Sequence, residues 1–147
     1  MAEAGGAQAA QGARRPDSSA ESGRQRLLEE MRGWRGYRLD EMTGSGAGSV
    51  RGVYVDARTG DPIWLLARMG LFGHFCLVPA RHAVAAAKRV WVPYTRETMR
   101  SAPRIEPGED LPIERERELL RHYGAAGGKR DSELERRGAG EISCYPV

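Results

Sequence analysis

Several residue types are scarce in this sequence, and each shortage excludes a class of protein. The chain has two cysteines, Cys76 and Cys144, in 147 residues, so a disulfide framework is not expected and a reducing, cytoplasmic setting is predicted. No apolar run approaches the roughly 20 residues that a membrane-spanning helix requires, and the N-terminus lacks the apolar core of a signal peptide. The sequence therefore predicts a cytoplasmic protein without a membrane span.

Lysine and asparagine are also rare. Of the 23 basic residues 21 are arginine, and no asparagine occurs, a bias typical of a GC-rich bacterial genome. Counting Lys and Arg against Asp and Glu, the net charge is +1 over residues 1–35, +4 over 36–102 and −2 over 103–147. This mildly basic centre lacks the dense basic stripe of a dedicated nucleic-acid binder, so the arginine count alone does not indicate RNA binding.

Large apolar residues are nearly absent from both ends of the chain. Residues 1–23 consist almost wholly of Ala, Gly, Gln, Ser and charged residues, and residues 125–140 repeat that character. Such a composition buries too little apolar surface to order a chain, so 1–23 and 125–147 are predicted to be disordered tails. One compact domain of about 100 residues remains between them.

The first ordered element is predicted to be a short helix. In residues 24–34, Leu27, Leu28, Met31 and Trp34 recur at helical spacing, and the charged residues mostly face away from them. We expect an amphipathic helix that lies on the domain.

After this helix the hydrophobic period changes to two, which indicates strands. The segments are short, rich in Val, Ile, Tyr, Trp and Leu, and bounded by turn residues, and we predict strands at 37–42, 49–56, 62–69, 74–79 and 90–93. Gly60 can adopt the positive φ of a tight hairpin turn. The pattern predicts an antiparallel meander, but it leaves open whether Val50 and Tyr54 or Val53 and Val55 face inward.

Residues 42–52 (MTGSGAGSVRG) look at first sight like a phosphate-binding loop. A phosphate loop works because its glycine turn ends at a helix N-terminus, whose free N–H groups face the anion. Here strand residues follow the glycines, no Gly-Lys-Ser/Thr occurs, and Ser49 stands where the last glycine of G-x-G-x-x-G would fall when counted from Gly44. The stretch therefore predicts a flexible hairpin connection and not a nucleotide site.

Two helices are predicted after the strands. Thr95 suits the N-cap of the first, which is short. The second is predicted at 111–123, with Asp110 as its cap, Pro112 in its first turn and Gly124 at its C′ position. The apolar edge of the second helix must pack either on the rest of the domain or on a partner, and it consists of Ile113, Leu119, Leu120 and Tyr123.

A series of short motifs runs through the centre of the chain. In chain order they are GSVRGVYVD at 48–56, TGD at 59–61, IWLLA at 63–67, GLFG at 70–73, LVP at 77–79, VWVPYTRE at 90–97, AP at 102–103 and HYG at 122–124. Their order and spacing over residues 35–124 resemble a stand-alone bacterial PRC-barrel, the domain found in the H subunit of photosynthetic reaction centres and in ribosome maturation factor M.

The resemblance implies a mainly β fold. The implied fold is a small, antiparallel PRC-type β-barrel over residues 35–103, with a C-terminal helical extension at 104–124. The resemblance also implies a binding role, in holding a membrane complex or a ribosomal protein, with no catalytic residue. Because the membrane helix of the H subunit and the separate N-terminal domain of the ribosome factor are both missing, neither specific role carries over directly. An accessory role in an electron-transfer complex is the least favoured of the family's roles.

Candidate catalytic and metal-binding residues are few. His74 and Cys76 would face the same side of a strand and His82 would be a third ligand, but nothing supplies the fourth that a structural zinc site requires. Ser49 and Ser101 have no histidine with an orienting carboxylate placed near them by the sequence. We therefore expect no catalytic residue, no cofactor and no metal site.

Two binding hypotheses remain. In the first, the protein binds a protein partner or a second copy of itself through an exposed strand or through the apolar edge of the second helix. In the second, it binds RNA or the ribosome through an aromatic and basic surface. The residues of that surface would be Trp64 and Tyr94 together with Arg68, Arg81, Lys88, Arg89, Trp91, Arg96 and Arg100. The alternative is that the aromatic residues belong to the core and the charges to a solvated rim.

Overall fold

The computed structural model describes residues 15–147, so the disorder predicted for residues 1–14 lies outside the described residues. Four helices are present in this part: α1 (Arg15–Arg32), α2 (Arg96–Arg100), α3 (Ile113–His122) and α4 (Lys129–Glu135). Its eight strands are β1 (Arg38–Glu41), β2 (Gly46–Asp56), β3 (Pro62–Met69), β4 (Phe75–Pro79), β5 (Val84–Ala86), β6 (Arg89–Val92), β7 (Leu111–Pro112) and β8 (Ile142–Pro146). The protein is therefore mainly β with several short helices, as predicted.

All eight strands belong to one mixed sheet. Six of them form a path in the order β4-β3-β2-β1-β6-β5, while β8 pairs with both β2 and β7. Strands β2, β3 and β4 form the predicted antiparallel meander, but β1 and β6 run parallel. The predicted antiparallel arrangement does not hold at this pair. Strand β5 is antiparallel to β6, so β4 and β5 run in the same direction along the sheet. Residues 80–83 therefore connect β4 to β5 without a reversal of the chain.

The two ends of the strand path do not meet. Within residues 15–147, β4 and β5 are not paired with each other, so the sheet is not closed. The outer edge of β4 is partly covered instead by the chain after α2. Arg104 forms a bridge with Cys76, and the N–H of Ile105 donates to the carbonyl of Phe75 at 3.2 Å.

The β2–β3 hairpin turns at Gly60, which has a φ of +77° as the sequence predicted. Two irregularities in register interrupt this strand pair, one after Val50 and one after Tyr54. Together with the pairing of β8 on the other side of β2, they break the simple alternation of faces. As a result Val50, Val53, Tyr54 and Val55 are all buried, and neither of the two alternative inward sets is correct alone.

The N-terminal helix is longer than predicted. Residues 15–23, which we predicted to be disordered, belong to α1, while Trp34 lies just beyond the helix end. Met31 and Trp34 are buried in the core, and the Nε of Arg24 pairs with a carboxylate oxygen of Asp61 at 2.5 Å. A helix anchored in this way continues through polar residues that need no core contact, which composition alone does not reveal.

The prediction that residues 125–147 are disordered is wrong. They form α4 and β8, and β8 pairs with β2 along Tyr54–Asp56 and with β7. Leu134, Ser143 and Cys144 are buried in this segment. Its ordering depends on strand pairing and on buried charges, and a composition poor in large apolar residues conceals both.

The region before α3 also differs from the prediction. Leu111 and Pro112, expected in the first turn of a helix, form strand β7, and the helix begins at Ile113. Pro112 is the N-cap residue and no side chain caps it, so Asp110 does not have the predicted role. At the other end Gly124 has a φ of +76° directly after the last residues of the helix, as predicted.

Candidate functional site

The apolar edge of α3 is not available to a partner. Ile113, Leu119 and Leu120 are buried in the core, and the hydroxyl of Tyr123 donates to the carbonyl of Leu77 at 2.9 Å. The Tyr123 ring packs edge-on against Tyr94, with the ring centroids 4.9 Å apart. Of the two packing alternatives for this edge, the structure shows the intramolecular one, so the prediction of a partner-binding surface here is wrong.

The residues of the predicted RNA surface are not all exposed to solvent. The guanidinium of Arg68 lies over the Phe75 ring at 5.9 Å, and Arg89 lies 3.8 Å from the carboxylate of Asp40. Trp91 is half-buried in β6. Two further members, Arg81 and Lys88, are exposed, and Trp64 is a buried core residue. Of the predicted set, Arg96 and Arg100 line a shared depression.

That depression is bordered by the loop that closes the β3–β4 hairpin, residues 70–73. The side chains of Leu71 and Phe72 at its tip are 77% and 89% exposed. Gly70 has a φ of +68°, and a Cβ added at Gly73 would lie 1.5 Å from the carbonyl oxygen of Met69, so neither position accepts another residue without a shift. The backbone therefore holds two large apolar side chains out into solvent.

The loop is also anchored to the start of β2. The N–H of Gly70 donates to the carbonyl of Ala47 at 3.0 Å, and the N–H of Met69 donates to the carbonyl of His74 at 3.0 Å. Gly48 packs directly against β3, since a Cβ there would lie 2.0 Å from the carbonyl oxygen of Arg68. The glycine-rich stretch thus allows close backbone approach within a strand, and Gly46 and Gly48 line the depression beside the loop.

Helix α2 supplies the other border. The Thr95 side chain caps it by accepting from the N–H of Thr98 at 3.1 Å, as predicted, and the carboxylate of Glu41 accepts from the N–H of Arg96. This backbone hydrogen bond lowers the pKa of Glu41 below its ordinary value. The helix is therefore fixed at its N-terminus by one residue of its own cap and one residue of β1.

The loop and the helix are joined by His74. Its Nε2 lies 3.0 Å from the carbonyl oxygen of Arg100, at the C-terminal end of α2. The first depression, of about 450 Å³, is lined by Leu71, Phe72, His74, Arg96 and Arg100 among others. A second depression, of about 580 Å³, adjoins it through shared residues and is lined by His74, Arg96, Glu97, Arg100, Ser101 and Arg104. We call the set Leu71, Phe72, His74, Arg96, Arg100 and Arg104 the loop surface.

The arginines of the loop surface form no salt bridge. Within residues 18–147, no carboxylate lies at salt-bridge distance from the guanidinium group of Arg96, Arg100 or Arg104. Glu41 accepts from the N–H of Arg96 and also interacts with the charge of its side chain, and Glu97 lines the second depression. The surface is therefore apolar at the loop tip and positively charged beside it.

The candidate metal and catalytic residues have structural roles. Cys76 is buried, and burial raises the pKa of its thiol to about 12, while His74 faces the end of α2. Ser101 Oγ donates to the carbonyl of Glu97 at 2.9 Å as part of the helix end. Between residues 15 and 147 no group of three or more His, Cys, Asp and Glu side chains is arranged to hold a metal ion.

A buried charge cluster, which sequence reasoning missed, holds the C-terminal segment on the sheet. Arg130 donates to both carboxylate oxygens of Glu116, from Nε at 2.5 Å and from Nη2 at 2.7 Å, and its Nη1 pairs with Asp56. Arg137 Nη2 lies 3.2 Å from both oxygens of Asp56, and Trp64 Nε1 donates to Glu116 at 3.3 Å. We call Asp56, Glu116, Arg130 and Arg137 the ion cluster.

The neighbours of Asp56 and Arg130 favour the charged forms of these two groups. Burial alone would raise the pKa of Asp56, but hydrogen bonds from Arg130 and from the N–H groups of Thr59 and Arg58 outweigh it and lower the pKa to about 2. Burial likewise opposes the charge of Arg130, but its partners, Glu116 foremost, raise its pKa above the ordinary value. The two carboxylates are almost inaccessible to solvent and are paired with Arg130 and Arg137, so the cluster has a structural role.

The helices give no sign of a membrane span, since none between residues 15 and 147 combines the length and the apolar character needed to cross a bilayer. Comparison of the sequence with protein-family models and with curated proteins finds no match.

Proposed function

We propose that this protein is a non-enzymatic, cytoplasmic binding module of the PRC-barrel type that engages a protein partner through the loop surface. The observation that carries the proposal is the exposure of Leu71 and Phe72, consecutive residues at the tip of a hairpin loop whose base is held by hydrogen bonds. Single exposed apolar residues are common on protein surfaces, but an exposed pair bordering a charged depression is typical of interaction sites. Aromatic and arginine side chains are also the residues that most often dominate binding energy at protein interfaces.

The backbone of the loop surface favours binding in a second way. Association costs free energy when loops and side chains must be ordered, and a loop already held in one conformation avoids much of that cost. The hydrogen bonds from the N–H of Gly70 to Ala47 and from the N–H of Met69 to His74 hold the base of the loop. The side chains of Leu71 and Phe72 are thus presented in advance.

The PRC-barrel part of the proposal is supported by the motifs between residues 48 and 124. Strands β2 to β6 follow one another between residues 46 and 92, along these motifs, and with β1 they form one strand path that, within the described residues, is not closed into a barrel. A family of binding domains agrees with the structural role of Ser101, whose Oγ donates to the carbonyl of Glu97 at the end of α2.

RNA or ribosome binding is the second candidate function, and one observation favours it. Phe72 is an exposed aromatic ring beside Arg96 and Arg100, and bases stack on such rings while arginines contact phosphates. Its neighbour Leu71 argues against RNA, because an exposed aliphatic side chain offers apolar contact but no ring on which a base can stack. We therefore favour the protein partner.

The proposal is tested by affinity capture from the host's lysate with matched variants, at low and at moderate salt, identifying both protein and nucleic acid. The test variant is Leu71→Ser with Phe72→Ser. The control is Leu27→Ser with Val84→Ser, which changes two apolar residues, 42% and 54% exposed, away from the loop. We expect one protein to survive moderate salt with wild type and control and to be lost with the test variant.

Two results of this capture would contradict the proposal. If the partner is retained by the loop variant, binding uses another surface. If ribosomal RNA or ribosomal proteins are captured and are lost as salt rises, the RNA alternative replaces it, because phosphate contacts weaken steeply with salt.

A further inference from the structure

Resting on the proposed function, we infer that the partner segment bound by the loop surface is acidic and apolar: it combines a large apolar side chain with two or more carboxylates. The apolar requirement comes from Leu71 and Phe72, and the acidic requirement comes from the arginines that line the two adjoining depressions. Both requirements are set by contacts that the described chain leaves unfilled.

The charge of the loop surface is the first argument. Arg96, Arg100 and Arg104 supply three positive charges, and Glu97 is the acidic residue among those lining either depression. A guanidinium group matches a carboxylate with two parallel hydrogen bonds, so each of these arginines offers a directional site for an acidic side chain. A basic partner would be repelled, and an uncharged partner would leave this charge without compensation.

Several arginines away from the loop surface form ion pairs within the chain. Arg130 and Arg137 have carboxylate partners in the ion cluster, Arg115 has Glu109 at 2.9 Å, and Arg24 has Asp61 at 2.5 Å. These pairs stabilise the chain's own turns and termini. Within the described residues the loop-surface arginines form no such pair, which they share with other exposed arginines such as Arg51 and Arg81. What sets them apart is their position together beside the exposed loop tip, on one helix and the residues that follow it.

The geometry of α2 is the second argument. Arg96 and Arg100 are four residues apart on the helix, so their side chains lie on the same face. That face borders both depressions, and the loop tip with Leu71 and Phe72 borders the first. A segment that places an apolar side chain against the loop tip would therefore bring its neighbouring residues over the arginines.

RNA matches the charge and offers bases to Phe72 but no aliphatic contact to Leu71, whereas a purely acidic segment matches the charge alone. Because the two requirements are separate, they can be tested separately with probes that carry one or both. The first probe is a labelled short peptide with a central Trp-Leu pair flanked by glutamates. The others are the same peptide with lysines in place of the glutamates, a peptide of glutamate and glycine alone, and oligouridylate.

The experiment measures fluorescence anisotropy of each probe with the full chain. We expect the acidic Trp-Leu peptide to bind, and the lysine and glutamate-only peptides to bind at least about tenfold more weakly, a difference of about 1.4 kcal/mol. Arg100→Glu with Arg104→Glu should weaken binding of the acidic Trp-Leu peptide by a similar factor. The matched control is Arg51→Glu, an exposed arginine of β2 outside both depressions.

The outcomes separate this inference from the proposed function. Equal binding of the lysine peptide, equal binding of oligouridylate, or no effect of the arginine variant would overturn the acidic and apolar partner. Absence of binding to all four probes would overturn it as well. If a captured protein is nevertheless lost with the Leu71→Ser and Phe72→Ser variant, the proposed function stands without this inference; if that variant changes nothing in the lysate, both fail.

Discussion

Replacing Arg130 with Met would show how strongly the ion cluster stabilises the fold. Arg130 is the residue that links Glu116 to Asp56, and the side chains of both acids are almost inaccessible to solvent. Without it, Asp56 keeps Arg137 at 3.2 Å and the turn N–H groups of Arg58 and Thr59 at 2.7 and 2.9 Å. Removing Arg130 therefore leaves mainly Glu116 without a charged partner.

Glu116 would be left with two weak donors. Trp64 Nε1 lies 3.3 Å away and the Cys144 thiol 3.5 Å away, neither of which carries a charge. Removing one partner of a buried ion pair costs about 3–5 kcal/mol, because it leaves an uncompensated buried charge. Small domains have total stabilities of about 5–15 kcal/mol, so this one substitution would remove a large part of the free energy of unfolding.

The assay is urea unfolding followed by tryptophan fluorescence, with Arg115→Met as the matched control. Arg115 pairs with Glu109 at 2.9 Å, but its side chain is 35% exposed and that of Glu109 is 43% exposed, so its loss should cost at most about 1 kcal/mol. Adding Glu116→Gln to Arg130→Met removes the buried charge and should restore about 1–3 kcal/mol. A cost below about 1 kcal/mol for Arg130→Met, or no recovery in the double variant, would refute this account of the cluster.

Three further predictions concern other parts of the molecule. Ala87 and Lys88, which connect β5 to β6, have φ values of 51° and 61°, so Lys88→Gly should raise the free energy of unfolding by about 1 kcal/mol, and destabilisation in urea would contradict this. Burial raises the pKa of Cys76 and of Cys144, so neither thiol should react with a disulfide reagent in the native protein, whereas both should react in urea. The pKa of Asp56 is lowered from 3.8 to about 2, so its stabilisation is complete above about pH 5 and is lost as the pH falls through 4 towards 2. The difference in free energy of unfolding between wild type and Asp56→Asn should narrow by about 2 kcal/mol over that range, and a constant difference would contradict the assignment.

The parts of the fold that the sequence predicted are those controlled by local chemistry. Strand β3 lies at the predicted 62–69, Gly60 forms the hairpin turn, and Thr95 caps its helix through its own side chain. Each of these follows from a few neighbouring residues. The parallel pairing of β1 with β6 does not follow from neighbouring residues. It depends on the path of residues 80–83, which lead the chain from β4 to β5 and so set the direction of β6 beside β1.

The C-terminal segment was missed for a related reason. Its order depends on Arg130 reaching Asp56, 74 residues earlier, and on the pairing of β8 with β2. Composition measures how many apolar residues a segment has, but it does not detect a charged residue whose partner lies in another part of the chain. A buried arginine is therefore read from the sequence as a solvated one.

The sequence predicted some residues of the candidate site but not the others. Arg96 and Arg100 belonged to the predicted basic surface, and the available signal for the rest was a pair of large apolar residues, Leu71 and Phe72, between two glycines at a hairpin tip. The helix edge had a stronger hydrophobic pattern, yet Leu119 and its neighbours are buried. Periodicity identifies an apolar face but not what covers it.

Arginine has two separate roles in this protein, and what distinguishes them is what each guanidinium group faces. Arg130 and Arg137 face buried carboxylates, whereas Arg96 and Arg100 face depressions bordered by exposed side chains. An unpaired charge is far more costly in the interior than in water, so the charges that the fold buries are paired and the unpaired ones lie where a partner can reach them. In the proposed function, the partner that meets Arg96 and Arg100 brings negative charge, and the exposed Phe72 beside them adds the expectation of apolar surface.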